Sequence, residues 1–266
     1  MAYWEWGDAA NPEVLICVHG LTRSSRDFDN LARALCGRYR VVCPDVVGRG
    51  DSDWLADAKL YQVPQYLQDM VTLIARLDVE RVHWVGTSLG GLVGVALAAQ
   101  KDSPVAKLVL NDAGPVIAKA ALERIGQYLG ADPRFPNVEA AERIVRMVSA
   151  PFGPHSDAEW RLLTATVLRQ NVDGSWRFHY DPNIAEAYRT SVPAEGDIEL
   201  WPMWDALACP TLVLRGAESD LLSRETARAM TERGPKAKLV ELPGVGHAPT
   251  LMHEDQIAIV RDFLIS

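Results

Sequence analysis

The sequence lacks the features that mark several classes of protein. It has 266 residues but only four cysteines (Cys17, Cys36, Cys43 and Cys209), and no two of them form a C-x-x-C pair. This scarcity favours free thiols in a reducing compartment over a disulfide framework or a cysteine metal site. No apolar run approaches the roughly 18 residues of a membrane span. The first residues also lack a basic segment followed by an apolar one, so no secretory signal is predicted and we expect a cytoplasmic protein.

Basic residues are in the minority. The 27 Lys and Arg stand against 35 Asp and Glu, which gives a formal net charge of −8. Nucleic acids and anionic membranes favour proteins with clustered Lys and Arg, so we expect neither as a partner. The sequence contains no glycine-rich phosphate loop, no dinucleotide fingerprint and no cluster with metal-ligand spacing, and we therefore expect no cofactor and no metal. The oligomeric state is not predicted.

What is present is a regular alternation of short apolar segments and helical patterns. The apolar segments are "VLICV" (14–18), "YRVVCP" (39–44), "VHWVG" (82–86), "VAKLVLN" (105–111), "CPTLVLRG" (209–216) and "AKLVELPG" (237–244). Apolar strands separated by helices predict a parallel sheet covered by helices on both faces. Helical patterns alone dominate from 114 to 205. We predict an α/β core formed by 1–113 and 206–266, with 114–205 as a helical cap.

The segment "WVGTSLGGLVG" (84–94) places one serine among four glycines. Gly86, Ser88 and Gly90 fit the pattern G-x-S-x-G, between a predicted strand and a predicted helix. In such an elbow the serine has a strained backbone that lifts its hydroxyl above the sheet edge, and the glycines allow strand and helix to approach closely. A glycine-rich turn with a capping serine is the alternative. We predict that Ser88 is a nucleophile.

A serine hydroxyl is a poor nucleophile unless a base removes its proton and a third group orients that base. Of the six histidines, His247 lies in the glycine-rich loop "LPGVGHAPTL" between the last predicted strand and the last predicted helix. Such a loop lies at the carboxyl edge of the sheet, where ligands bind. We predict that His247 is the base. His19, which ends a strand, is expected to brace its loop instead.

The orienting carboxylate should follow a strand at the same edge and lie between the serine and the histidine in chain order. The segment "LVLRGAESDLLS" (212–223) supplies Asp220, a short side chain just ahead of a predicted helix cap, and we predict that Asp220 is this acid. Asp112, which directly follows the strand ending at Asn111, is one alternative. Glu218 is the other.

Hydrolysis by a serine also needs two N–H groups that stabilise the oxyanion. The N–H of Leu89, the residue after the nucleophile, is the first candidate. The second is the N–H of Leu21, because Gly20 in "HGLTRSS" lets the chain turn tightly after the strand "VLICV". We predict that Leu21 and Leu89 form an oxyanion hole.

These motifs together resemble the α/β-hydrolase superfamily over nearly the whole chain. The matching features, in the family's order, are "HG", "PDVVGRGDSDW", "GTSLGG", "RGAESD" and "GVGH". The resemblance implies a mostly parallel, eight-stranded sheet with a helical cap inserted after the sixth strand, and a Ser88–Asp220–His247 triad. In this family the acid often follows the strand-end glycine by three residues, where this sequence has Ser219 and the aspartate comes one residue later.

We therefore expect a serine hydrolase that cleaves carboxylic esters of small to medium apolar acyl or aryl groups. A carbon–carbon bond hydrolase, a lactonase or a thioesterase would use the same residues, and a non-catalytic binding protein of this fold is a further alternative. The predicted cap is rich in aromatic residues, which suit an apolar ligand. From this region and the oxyanion loop, the predicted substrate contacts are Arg23, Trp160 and Trp204.

Overall fold

The computed structural model describes all 266 residues, and the first part of the chain provides five strands and three helices. The strands are β1 (Tyr3–Trp6), β2 (Val14–Val18), β3 (Arg40–Pro44), β4 (Val82–Thr87) and β5 (Val105–Asn111). The helices are α1 (Asp29–Leu35), α2 (Val63–Leu77) and α3 (Leu89–Ala98). A turn connects β1 to β2, and each later pair of consecutive strands in this part of the chain is connected through one of the three helices.

The next part of the chain leaves the sheet and is mainly helical. It contains five helices: α4 (Lys119–Gly126), α5 (Val138–Val148), α6 (Asp157–Ala165), α7 (Ile184–Ser191) and α8 (Trp201–Asp205). Two small antiparallel pairs accompany them, formed by β6 (Val116–Ile117) with β9 (Ile198–Glu199) and by β7 (Leu168–Gln170) with β8 (Trp176–Phe178). α6 begins with a capping box between Ser156 and Glu159, as the spacing of these two residues predicts.

The chain then returns to the sheet with β10 (Thr211–Gly216), α9 (Arg224–Glu232), β11 (Lys238–Leu242) and α10 (Glu254–Ile265). The seven strands of the main sheet lie in the order β1-β3-β2-β4-β5-β10-β11. All neighbouring pairs are parallel except β1 with β3. The carboxyl ends of β2, β4, β5, β10 and β11 therefore meet at one edge, where the loops that carry the candidate site residues emerge.

Both faces of the sheet are buried, which explains the continuous apolar strands. In β2, Val14, Ile16 and Val18 pack with α2, α3 and α9 on one face. Leu15 and Cys17, which point the other way because strand side chains alternate, pack with α1 and α10. The predicted mostly parallel sheet flanked by helices is confirmed. No helix combines the length and the apolarity needed to cross a bilayer.

The resemblance implied one strand too many. The main sheet has seven strands rather than eight, and the helical insertion follows the fifth strand of the chain rather than the sixth. The difference lies near the N-terminus, because only β1 precedes β2. The segment from Gly7 to Glu13 between these two strands contains turns and bends and adds no strand.

Candidate active site

Ser88 lies in a sharp turn between β4 and α3. Its backbone has φ 51° and ψ −113°, a combination that an L-residue adopts only under constraint from its surroundings. The glycines on either side are required by close packing: a Cβ atom at Gly86 would overlap with the carbonyl of Gly90, and one at Gly90 would overlap with the carbonyl of Val18. The structure therefore has the strained elbow that the G-x-S-x-G pattern predicts, with the serine at the sheet edge.

The imidazole of His247 lies between a hydroxyl and a carboxylate. Its Nε2 is 3.0 Å from Ser88 Oγ, and its Nδ1 is 2.7 Å from Asp112 Oδ2. His247 is in the loop after β11, and Asp112 directly follows β5. In the neutral imidazole whose proton is on Nδ1 and donates to the carboxylate, Nε2 carries a lone pair that can accept the proton of the serine hydroxyl. This is the geometry of a serine nucleophile, a base and an orienting acid.

Asp112 is fully buried and held by several donors. Its Oδ1 accepts a hydrogen bond from the Gly216 N–H at 2.9 Å, and its Oδ2 accepts one from the Ser219 hydroxyl at 2.6 Å in addition to that from His247. The backbone of Asp112 has φ 51°, and its N–H donates to the Leu214 carbonyl at 2.8 Å. This left-handed conformation ends β5 and directs the carboxylate toward the loop of the histidine.

The two predicted oxyanion donors flank the serine. Leu89 is the first residue of α3, and Leu21 follows Gly20 in the loop after β2. A methyl group added to Gly20 would lie 3.8 Å from Ser88 Cβ, so this loop runs beside the nucleophile. Neither the Leu21 N–H nor the Leu89 N–H donates a hydrogen bond within the protein. Both remain our prediction for the oxyanion hole.

His19 holds the peptide group that carries the Leu21 N–H. Its Nε2 accepts a hydrogen bond from the Val46 N–H at 3.0 Å, so the ring proton is on Nδ1, which donates to the Gly20 carbonyl at 2.7 Å. In a trans peptide the carbonyl and the next N–H point in opposite directions, so this bond also orients the Leu21 N–H. Burial lowers the pKa of His19, and the ring is therefore neutral. The prediction that His19 braces the loop is confirmed.

Ser88 and His247 open into a cavity of about 220 Å³ between the sheet edge and the helical insertion. Most of its lining is apolar, and most of it comes from the insertion. The large apolar residues are Leu21 from the core and Ile125, Ile144, Val145, Val148, Phe152, Val167 and Phe178 from the insertion. Arg23, Arg124 and Tyr128 are polar members of the lining, and burial raises the pKa of the Tyr128 phenol. A mainly apolar organic substrate with few polar groups suits such a cavity.

Comparison with known proteins identifies the family. The sequence profile of the alpha/beta hydrolase family matches residues 15–260. The chain belongs to the alpha/beta hydrolase family. It is 56% identical to the 3-hydroxybutyrate-oligomer hydrolase of Cupriavidus necator, over 99% of this chain and 92% of that protein. It is also 26% identical to esterase YbfF of Escherichia coli, over 89% of this chain and 87% of that protein.

Solved structures show the same relationship. An alpha/beta hydrolase from Novosphingobium aromaticivorans superposes with a TM-score of 0.88 at 42% identity, covering 99% of this chain and 92% of that one. The predicted family and fold class are therefore confirmed. The hydrolase acts on carboxylic esters, as predicted.

The structure of the hydrolase contradicts the prediction that Asp220 orients the histidine. The Asp220 carboxylate is about half exposed, with 49% of the side chain accessible, and accepts hydrogen bonds from Arg124 Nε at 2.6 Å and Nη2 at 3.0 Å. After β10 the chain turns so that Ser219 points inward while Glu218 and Asp220 point outward. Glu218 is exposed and makes no side-chain hydrogen bond, so neither acid of this loop reaches His247. Asp112, the first alternative, occupies the position.

Two of the three predicted substrate contacts also lie elsewhere in the hydrolase. Trp204 is fully buried in the main core, and its indole N–H donates to the Arg233 carbonyl at 3.1 Å. Trp160 packs on His155 with ring centroids 5.2 Å apart and does not line the cavity. Both rings therefore have a packing role: each fills the space between a helix of the insertion and a neighbouring element. Phe178, another ring of the insertion, lines the cavity instead.

Arg23 does line the cavity, but its guanidinium is already paired. Its Nε donates to Asp27 Oδ2 at 2.8 Å, and Nη2 donates to the Leu163 carbonyl at 3.3 Å. The ring of Phe152 lies 5.8 Å from the guanidinium carbon. A contact between Arg23 and substrate stays a prediction.

Proposed function

We propose that this ester hydrolase uses a Ser88–His247–Asp112 triad and an acyl-enzyme intermediate. The observation that carries the proposal is the pair of hydrogen bonds that joins His247 to Ser88 Oγ at 3.0 Å and to Asp112 Oδ2 at 2.7 Å. Ser88 Oγ attacks the ester carbonyl while Nε2 of His247 takes its proton. The Asp112 carboxylate holds the imidazole in place and stabilises the imidazolium that forms.

The N–H groups of Leu21 and Leu89 stabilise the negative oxygen of the tetrahedral intermediate in this proposal. His247 then donates its proton to the leaving alcohol, which departs and leaves the acyl group on Ser88. A water molecule attacks this acyl-enzyme with His247 again acting as base, and the second tetrahedral intermediate collapses to release the acid.

The natural substrates in this proposal are short oligomers of 3-hydroxybutyrate. The 56% identity to the 3-hydroxybutyrate-oligomer hydrolase of Cupriavidus necator supports this substrate class. The apolar lining of the cavity suits a methyl-branched ester chain that carries no charge except at its terminal carboxylate. Arg23, beside the loop of Leu21, is the proposed contact for that carboxylate.

Residues 114–205 act as the lid of this site in our proposal, over a core formed by 1–113 and 206–266. The support is that the insertion supplies most of the cavity wall opposite Ser88, including Ile144 and Phe178. We also propose a cytoplasmic location, because all four cysteines are free thiols and two of them, Cys17 and Cys43, are fully buried.

The test is to incubate the enzyme with the dimer and the trimer of 3-hydroxybutyrate and to follow the products by chromatography. p-Nitrophenyl butyrate serves as a neutral ester of similar acyl length. We expect cleavage of both kinds of substrate, and a loss on the order of 10³-fold or more in Ser88→Ala. Cleavage of the neutral ester alone would reject the oligomer substrate. Full activity of Ser88→Ala would reject the triad.

A further inference from the structure

The hydroxyl of Ser219 contacts the same carboxylate oxygen that holds the histidine. Ser219 Oγ is 2.6 Å from Asp112 Oδ2, and His247 Nδ1 is 2.7 Å from that oxygen. Ser219 Oγ also accepts hydrogen bonds from the N–H groups of Leu221 at 3.2 Å and Leu222 at 3.1 Å. Since two backbone donors occupy its lone pairs, its own proton is directed to the carboxylate.

We propose that Ser219 is a positioning residue for the triad acid, an inference that rests on the proposed function of Asp112. The torsion of a carboxylate about its terminal bond is broad and poorly defined by itself. The Gly216 N–H fixes Oδ1 of Asp112, and the Ser219 hydroxyl fixes Oδ2, so the two donors together define the plane of the group. The group held in this way has its Oδ2 at 2.7 Å from Nδ1 of His247.

The experiment uses the full-length enzyme with p-nitrophenyl butyrate and compares Asp112→Asn, Ser219→Ala and Ser219→Thr. Ser223→Ala is the matched control, because it removes the exposed hydroxyl that caps α9, four residues further along the chain, and does not contact Asp112. For each variant kcat and KM are measured, together with the downfield proton resonance of His247 Nδ1–H.

We expect Ser219→Ala to lower kcat about tenfold with KM nearly unchanged, because a hydrogen bond to a charged group is lost at the acid and not at the substrate. The Nδ1–H resonance should move in this variant. Ser219→Thr, which keeps the hydroxyl, and Ser223→Ala should stay within about twofold of the parent.

The outcomes separate this inference from the proposed triad. If Asp112→Asn keeps full activity, the triad itself is rejected. If Asp112→Asn is inactive but Ser219→Ala keeps the parent kcat and resonance, the triad stands and the positioning role is rejected. Equal losses of kcat in Ser219→Ala and Ser219→Thr would also contradict the positioning role, because the threonine keeps the hydroxyl.

Discussion

Asp112 and His247 are 135 residues apart in the chain, yet their side chains form a 2.7 Å hydrogen bond. The sheet brings them together, because β5 and β11 are both parallel to β10 and end at the same edge. Asp112 directly follows β5, while His247 lies in the loop that follows β11. The acid of the candidate triad thus comes from the strand that precedes the helical insertion.

The choice between two aspartates gives the first prediction. Asp112→Asn should lower kcat on the order of 10³- to 10⁴-fold, because the amide no longer stabilises the imidazolium or holds the required tautomer of His247. Asp220→Asn should change kcat less than about threefold, because its carboxylate is half exposed and pairs only with Arg124. Steady-state kinetics with p-nitrophenyl butyrate measure both. The reverse order of effects would return the acid to Asp220.

Sequence reasoning found the serine and the histidine because their positions follow from local patterns. Gly86 and Gly90 around Ser88 mark a strand–turn–helix elbow, and the glycines before His247 mark a loop at the same edge. The acid was not decidable in this way, because Asp112 and Asp220 both follow strands that end at that edge. Tertiary structure determines which aspartate reaches His247. Asp112 has a left-handed backbone that directs its carboxylate to the histidine, and Asp220 pairs with Arg124 from α4.

The positions of the aromatic rings of the insertion could not be predicted from composition either. Whether a ring lines a cavity or fills a core depends on how short helices pack against each other and against the sheet. Trp204 and Phe178 both lie in the insertion, yet the first is buried in the main core and bonded to the Arg233 carbonyl, and the second lines the cavity. The expected number of strands was also wrong. The resemblance implied eight strands, whereas the main sheet has seven, because the chain before β2 forms only one strand.

The close packing of the elbow gives the second prediction. Gly90→Ala should destabilise the fold by about 3 kcal/mol or more, because its Cβ would overlap with the backbone carbonyl of Val18 and neither β2 nor α3 can move freely. Gly37→Ala is the matched control, since its Cβ would meet no atom within 4 Å. It should change stability by less than about 0.5 kcal/mol. Urea unfolding measures both, and equal midpoints for the two variants would contradict the crowding at Gly90.

The third prediction concerns stability against pH at His19. The folded protein keeps this ring neutral, because burial lowers its pKa and Nε2 accepts the Val46 N–H. The unfolded chain binds a proton there below about pH 6.5. In that range the unfolded state holds more protons than the folded state. The contribution of His19 to the free energy of unfolding is therefore fully present above about pH 6.5 and falls as the pH decreases toward the pKa of the folded state.

His19→Asn removes this titration. The free energy of unfolding of the parent should therefore fall more steeply between pH 7 and pH 5 than that of the variant, by up to about 1.4 kcal/mol per pH unit. Urea unfolding across this range measures the two slopes. The difference in free energy of unfolding between parent and variant at pH 8 serves as the control, because the ring is neutral in both states there and only the lost hydrogen bonds contribute. Parallel curves down to pH 5 would mean that His19 is protonated equally in both states.

The last prediction concerns Arg23 and the charge of the substrate. Arg23 lines the cavity beside the oxyanion loop, and Asp27 holds its Nε and one of its two terminal nitrogens. Arg23→Met should raise KM for 3-hydroxybutyrate dimer about tenfold, because the dimer carries a carboxylate close to the cleaved ester bond. The neutral p-nitrophenyl butyrate should show a nearly unchanged KM.

Arg23→Lys is the matched variant for this test, because it keeps the positive charge but loses the guanidinium, in which Nη1 has no partner while Asp27 binds Nε and Nη2. We expect its KM for the dimer to lie between those of the parent and Arg23→Met. If Arg23→Met raises KM for both substrates equally, Arg23 acts by supporting the Leu163 segment, to whose carbonyl it donates a hydrogen bond, and the substrate carboxylate is bound elsewhere. Arg124, the other cation of the cavity lining, is then the residue to replace.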